Sequence, residues 1–294
     1  MALRPYQEKA VAAGIAFLNS KSTGSKAKDR GVIIAPTAAG KSHIIAAIAK
    51  EVGKVVVLQP SQELLKQNYA KYVADGCEAS IYSASLNEKN VGHVTFATIG
   101  SIKSKGHLFS GAKLIIDECH LFPPKDSSML GLFMSGSKIV KVLGLTATPF
   151  RLHKDELKFI TRTMPKLFGC VVHCIQVSEI TSQGYWSKLL YKPVRFDDKM
   201  LKLNSSGTDY TEDSVKKAYL ANDMQGTIVH AVNKMLSPGD GFVPRKSILV
   251  FVPTVEEAHQ VAGKIDGAVV VWGLMSKDAR DRCIDDFKDG KINV

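Results

Sequence analysis

The stretch Ala35-Pro36-Thr37-Ala38-Ala39-Gly40-Lys41-Ser42 has the residue types to hold a phosphate. Small residues let a turn close tightly and aim backbone N–H groups inward, and a helix starting at its end adds positive potential. Lys41 is placed to meet the β- and γ-phosphates, and the Ser42 hydroxyl to ligate Mg²⁺. Ala35 stands where the general pattern opens with glycine, so this stretch alone also fits a plain structural turn. A second stretch, Asp117-Glu118-Cys119-His120, supplies the complementary chemistry. Asp117 can hold Mg²⁺ through water, and Glu118 can orient and deprotonate the water that attacks the γ-phosphate. Alone, two acids after a strand are solvated carboxylates. Cradle and acid pair need each other chemically, so their joint presence points to nucleotide hydrolysis.

These residues call for a parallel α/β layer to position them. Val32-Ile33-Ile34 reads as a buried strand into the cradle, and Ile44 to Ala49 as the helix leaving it. Val55 to Leu58 is a second strand ending in Gln59-Pro60-Ser61, with Ser61 as the N-cap of a helix to about Asp75. Ala79 to Tyr82, Val94 to Thr98, Leu114 to Ile116 and Val142 to Leu145 are the remaining strands of this half. Leu114 to Ile116 delivers the acid pair at a C-terminal strand end, where parallel sheets bind ligands. Val142 to Leu145 runs into Thr146-Ala147-Thr148-Pro149, setting two hydroxyls near the acids; alone it also reads as a Pro-terminated turn. The hydroxyls after other strands, Ser61, Thr98 and Ser101, can donate to a nucleic-acid backbone, and by residue type alone they read as helix caps. Leu3-Arg4-Pro5-Tyr6-Gln7 leads into an amphipathic helix from Ala10 to Leu18, and Ser20 to Asp29 is a polar, basic loop.

With Asp117-Glu118-Cys119-His120 followed by Thr146-Ala147-Thr148, the chain resembles the superfamily 2 helicases of the DExH type. Within them it is similar to the RadD-like DNA-repair ATPases of bacteria and phages, through Leu3-Arg4-Pro5-Tyr6-Gln7 and Gly144-Leu145-Thr146-Ala147-Thr148-Pro149-Phe150-Arg151. The resemblance covers nearly the whole chain. It implies that Gln7 reads the adenine edge of ATP and that Ala35 to Gly40 cradle its phosphates with Lys41. It implies Ser42 and Asp117 as the Mg²⁺ residues and Glu118 as the water residue. His120, Thr146 and Thr148 would link hydrolysis to nucleic-acid binding, and Pro60, Ser61, Thr98 and Ser101 would contact the strand backbone. DNA is implied over RNA. Ala38 departs from the glycine of many relatives, and its methyl fits unless that position needs a positive φ.

Composition is that of a soluble globular protein with a core. The chain has 294 residues, 45% hydrophobic and 23% charged, with a net charge of +11. That excess favours polyanionic partners, nucleic acid first, although charge alone names none. Five cysteines form no disulfide ladder, which points to a reducing compartment. Cys170, His173 and Cys174 lie close together, but the spacing reads as core cysteines rather than a metal site. No apolar run reaches membrane-spanning length and no signal-peptide core is present, so a cytoplasmic location is expected.

Glu179 to Trp186 reads as the end of the first domain, with a Gly184-Tyr185-Trp186 turn. Helical patterns follow at Ser214 to Leu220 and Gly226 to Met235, with loops at Asn204-Ser205-Ser206-Gly207 and Ser237-Pro238-Gly239-Asp240-Gly241. Strands are expected at Ser247 to Val252, Ala268 to Trp272 and Ile292 to Val294. Helices are expected between them, the first opened by a capping box at Thr254-Val255-Glu256-Glu257. The expected architecture is α/β, with two RecA-like parallel-sheet domains in tandem, the second truncated. The divisions fall at 1–190 for the ATP-binding domain, 191–240 for a helical connector and 241–294 for the start of the second domain. The expected function is an ATP-dependent DNA helicase or translocase acting in repair, recombination or replication. The chain stops before the family's arginine-finger segment, so ATP·Mg²⁺ binding with poor hydrolysis is expected. The alternatives are a non-catalytic, ATP-switched nucleic-acid-binding module and the motor of a restriction or RNA-remodelling system. A generic P-loop kinase has no use for Thr146 and Thr148 after the acid pair.

Overall fold

The computed structural model describes residues 2–25, 27–153, 156–187, 190–205, 207, 209–239 and 243–294. Ser206, Asp240 and Gly241, which belong to two of the expected loops, lie outside the described residues. The chain divides into two units, Met1–Tyr191 and Lys192–Val294. No helix among the described residues is long and apolar enough to cross a membrane.

The strands of the first unit are β1 (Arg30–Ile34), β2 (Val55–Gln59), β3 (Ser80–Ser83), β4 (Glu88–Lys89), β5 (Val94–Thr98), β6 (Lys113–Ile116), β7 (Val142–Thr146), β8 (Phe150–His153), β9 (Glu156–Phe159) and β10 (Cys170–Cys174). Eight of them form one sheet in the order β10-β1-β7-β6-β2-β5-β3-β4, while β8 and β9 pair as a separate antiparallel hairpin. All neighbours in the large sheet are parallel except β3 and β4. The helices are α1 (Pro5–Asn19), α2 (Lys41–Glu51), α3 (Gln62–Ala74), α4 (Ile99–Ile102), α5 (Met129–Ser137) and α6 (Val177–Ser182).

A sheet covered on both faces buries its central strands completely, and all five residues of β2 are buried. Alternation sends side chains to two cores. Val57, Ile115 and Leu145 join Tyr6 of α1, Ile44 and Ile48 of α2 and Leu65 of α3 in one. Val56, Leu58 and Ile116 join Phe109, Phe133 of α5 and Phe168 in the other. Gly144 allows a close approach here: a Cβ on it would lie 2.6 Å from both the Cys119 sulfur and the Phe168 ring. The edge strand β10 was not expected from the sequence. Its Cys174 is exposed at the strand's end, so Cys170 and Cys174 are not a pair of core cysteines.

The second unit carries α7 (Glu212–Ala221), α8 (Met224–Leu236), α9 (Val255–Ala262) and α10 (Lys277–Lys288). Each opens on a side-chain cap, supplied by Thr211, Asp223, Thr254 and Ser276 respectively. The capping box at Thr254 is only half formed. Its hydroxyl accepts from the Glu257 N–H at 3.2 Å, but the Glu257 carboxyl is buried with Oε2 unpartnered among the described residues. The three expected strands are not regular strands. Single bonds join them, Ile248 N–H to Asn293 O at 2.8 Å and Val269 N–H to Val294 O at 3.0 Å. Both carbonyls lie on the last segment, so it bonds to each of the other two. Leu249 and Phe251 stand 70% and 88% exposed, so these segments lack the two-sided cover that completes the sheet of the first unit.

Candidate functional site

The candidate residues of the first unit gather at or beside the C-terminal ends of the parallel strands. β1 delivers the cradle, β2 delivers Pro60 and Ser61, β5 delivers Thr98, β6 delivers Asp117 and β7 ends on Thr146. This is the sheet edge where β1 and its sequential successor β2 are separated by β7 and β6.

The cradle is a left-handed turn. Ala38 has φ of 62° and Gly40 has φ of 82°. Gly40 is the N-cap of α2 and supplies no side-chain cap, so the Lys41 and Ser42 N–H groups open the helix ahead of its first backbone bonds, from the His43 and Ile44 N–H groups to Gly40 O at 2.9 and 3.2 Å. The Ala35 N–H donates to Thr146 O at 2.9 Å, fixing the cradle to β7. Gln7 locks the other side. Its Nε2 donates to Ala39 O at 2.9 Å, and its Oε1 accepts from the Arg4 N–H at 2.9 Å. A Cβ on Gly40 would run into Gln7 Nε2, and its φ of 82° suits glycine, so glycine lets the amide sit this close. Beside it opens a cavity of 200 Å³ lined by Leu3, Arg4, Gln7, Ala38, Gly40 and His43. Arg4 stacks its guanidinium on the Tyr185 ring at 4.2 Å.

Lys41 Nζ lies 3.1 Å from Glu118 Oε1, so cradle and acid pair form one site. Asp117 is buried. Its Oδ1 accepts from the Glu118 N–H at 2.9 Å and its Oδ2 from Asn68 Nδ2 at 3.2 Å. Burial, with the Glu118 charge second, pushes the Asp117 acid up to about 6. Glu118 occupies the left-handed region at φ 44°, which turns the chain sharply after β6. Its Oε2 lies 3.5 Å from His120 Nδ1. Burial lowers the His120 value, so the imidazole is neutral at physiological pH and this contact is a polar one. His120 Nδ1 also meets Thr146 Oγ1 at 2.8 Å, and Thr146 Oγ1 accepts from the Thr148 N–H at 3.0 Å. A continuous polar chain therefore runs from Lys41 through Glu118, His120 and Thr146 to Thr148.

Ser61, Thr98 and Ser101 form a separate set. Ser61 caps α3 by accepting from the Leu64 N–H at 3.3 Å. Thr98 and Ser101 share a hydroxyl–hydroxyl bond of 3.0 Å, and Ser101 Oγ accepts from the Ala84 N–H at 2.8 Å. Ser42, in the first turn of α2, and Pro60 are half-buried.

Two residues carry structural roles that the sequence reading missed. Asn68 stands between Leu65 and Tyr72 on the buried face of α3 and holds Asp117. A polar residue inside an apolar helical stripe was the available signal. Arg151 Nε donates to His120 O at 2.8 Å, tying β8 to the acid turn. The site's chemistry fits a nucleotide with a divalent cation: small turn residues leading into a helix N-terminus, a lysine, a hydroxyl and a buried oxygen donor.

A profile of the family described as type III restriction enzyme, res subunit, matches residues 1–151. Among solved structures, the UvsW helicase of bacteriophage T4 is 23% identical over 51% of this chain and 54% of that one, with a TM-score of 0.40. The DNA-bound, ATP-dependent type ISP restriction-modification enzyme LlaBIII is 18% identical over 90% of this chain and 21% of that one, with a TM-score of 0.57. The Sulfolobus solfataricus SWI2/SNF2 ATPase core in complex with double-stranded DNA is 14% identical over 51% of this chain and 32% of that one, with a TM-score of 0.39. The LlaBIII likeness carries the fold. The chain spans between a fifth and about half of the length of these structures. No curated protein sequence matches the chain.

Proposed function

Since the chain belongs to the type III restriction enzyme, res subunit, family of superfamily 2 helicase-like proteins, we propose that it hydrolyses ATP and couples turnover to movement on DNA. The observation that carries this reading is the 3.1 Å contact of Lys41 with Glu118, set beside the buried Asp117. Lys41 donates to phosphate oxygens once a nucleotide enters, which takes it from Glu118. Glu118 then keeps its neighbour His120 and has a free carboxylate oxygen to accept a proton from water. Ser42 and Asp117 would hold Mg²⁺, which neutralises phosphate charge when bound. Gln7 uses one amide hydrogen and one lone pair internally, leaving a second donor and a second acceptor for the adenine edge.

The polar chain from Glu118 through His120 to Thr146 and Thr148 is the route by which the state of the nucleotide is felt beyond the site. Ser61, Thr98, Ser101 and Pro60 are proposed to contact the phosphate backbone, giving binding that is largely independent of sequence. DNA repair, recombination or replication is the proposed setting. The family's description favours a second reading, the motor of a restriction system; endonuclease activity in the purified protein would select it.

The experiment is ATP binding and turnover without nucleic acid, with single-stranded DNA and with RNA, alongside Lys41→Ala. The expected result is Lys41-dependent ATP binding and turnover that DNA raises more than RNA does. ATP binding unchanged by Lys41→Ala would overturn the reading.

A further inference from the structure

Three adjacent strands carry polar residues in one row at the nucleotide end of the sheet. Val57 of β2 lies beside Ile115 of β6 on one side and Phe96 of β5 on the other, and all three point into the core under α1, α2 and α3. Two residues further on, the same face carries Asp117, Gln59 and Thr98. Gln59 is paired in register with Thr98, and the Asp117 N–H donates to Leu58 O at 3.0 Å, which sets Asp117 beside Gln59. Gln59 thus stands between the acid of the nucleotide site and a hydroxyl of the proposed nucleic-acid edge.

Its neighbours are occupied elsewhere. Asp117 accepts from Glu118 and Asn68, and Thr98 is bonded to Ser101. Gln59 is fully buried, yet neither Oε1 nor Nε2 has a partner among the described residues, and Asn68 Oδ1 next to Asp117 is likewise unpartnered. Buried amides are ordinarily hydrogen-bonded, and a leucine would fill this place without that cost. An orphaned amide at this point has the donor and the acceptor needed to join the two sides.

We propose that Gln59 is a positioning residue that transmits nucleic-acid binding to the nucleotide site by bridging Thr98 to the Asn68–Asp117 pair. This rests on the reading above. A phosphate that takes the Ser101 hydroxyl releases Thr98 Oγ1, which then donates to Gln59 Oε1. The amide is fixed in orientation by that bond, and its Nε2 donates to Asn68 Oδ1. Asn68, so held, fixes the carboxylate of Asp117 through its own Nδ2. Every group named here has one free site for the bond it gains, so the switch exchanges one hydrogen bond for three.

The test compares wild type with Gln59→Leu, and with Gln59→Met as the unbranched alternative should Leu pack badly. Single-stranded DNA affinity is measured by anisotropy with and without a non-hydrolysable ATP analogue and Mg²⁺, and analogue affinity with and without DNA. The ratio of affinities is the coupling factor, and it must agree in both directions. The expected result is a wild-type factor of roughly 5 or more, in the usual range for coupled sites. In the variants each ligand alone binds within about twofold of wild type, the melting temperature is equal or higher, and the factor falls toward 1. A variant that keeps the wild-type factor overturns the proposal, as does a wild type that binds both ligands with a factor of 1. A lowered melting temperature accompanying the loss in both variants would assign Gln59 to the core instead and also overturn it. Failure of wild type to bind nucleotide or DNA is a different result: it refutes the reading beneath, and this proposal with it.

Discussion

Ala38 holds a left-handed backbone at φ 62° while bearing a methyl group. That conformation costs an L-residue roughly 1–2 kcal/mol, and glycine escapes it. Glycine's extra freedom in the unfolded chain cancels part of the gain, so Ala38→Gly is expected to stabilise the chain by about 0.5–1 kcal/mol. A melting temperature raised by about 1–4 °C checks this. Asp117 stores a larger cost. Its acid is pushed up to about 6 by burial, so keeping it ionised at neutral pH costs roughly 2–3 kcal/mol. The folded value lies above the unfolded one, so the penalty is complete above pH 6 and disappears as pH falls toward about 4. Asp117→Asn gives up one of two hydrogen bonds accepted by the carboxylate, leaving an expected net gain of about 1 kcal/mol at pH 8. Melting curves across pH would show the gain shrinking below pH 6, and the same variant is expected to lose Mg²⁺-dependent turnover. A melting temperature lowered at every pH would mean that Asp117 is a structural anchor rather than a strained ligand. Lys41, Glu118 and Asp117 were legible from residue type. Asn68 was not: its place in the apolar stripe of α3 signals a buried polar contact, but its partner Asp117 lies 49 positions away and the stripe does not name it.

At the scale of elements, the loop before β1 is pinned by one carboxylate. Asp29 accepts from Ser22 Oγ at 2.7 Å, from the Thr23 N–H at 3.0 Å and from Lys141 Nζ at 3.0 Å. The Ser22 hydroxyl first, then the Thr23 N–H, with Lys141 also contributing, hold this acid well below the usual carboxylate range. A depressed folded value gives stability that is whole above the unfolded value and lost as pH falls through the folded one. Asp29→Asn is therefore expected to melt lower than wild type at pH 7, with the gap narrowing progressively below about pH 4. A gap independent of pH would sink the ionic explanation. The strands β1, β2, β6 and β7 were readable because two-sided burial writes them as apolar runs, and β3 and β5 through shorter apolar stretches broken by Ser and Thr. The edge strand β10 was not, since exposure of Val171 and Cys174 gives Cys170 to Cys174 no such run. The hairpin β8–β9 escaped because Phe150 and Leu157 are apolar yet 45% and 68% exposed, so periodicity and burial disagree. In the second unit the reverse holds: apolar runs predicted strands, but single bonds rather than ladders join those segments.

At the scale of the whole molecule, the net charge of +11 sets how the chain meets a polyanion. A track of about four to seven phosphates on a single strand releases counterions with a log–log salt slope of roughly −3 to −5. Single-stranded DNA binding measured from low to moderate salt is expected to follow that slope for any base composition. A slope near zero would show that the strand is not held by its backbone. The buried Cys119 has a different use. Its thiol packs in the apolar core, where a Cβ on Gly144 would meet it at 2.6 Å, and burial raises its value well above that of an ordinary cysteine, while Cys174 is exposed. An alkylating reagent reaches Cys119 only when the turn after β6 opens, so its labelling is a clock for local opening. Where reclosing outruns alkylation, the labelling rate gives the open population directly. Nucleotide bound with Mg²⁺ is expected to slow that clock and leave the labelling of Cys174 unchanged, making a native thiol of the chain the sensor of occupancy.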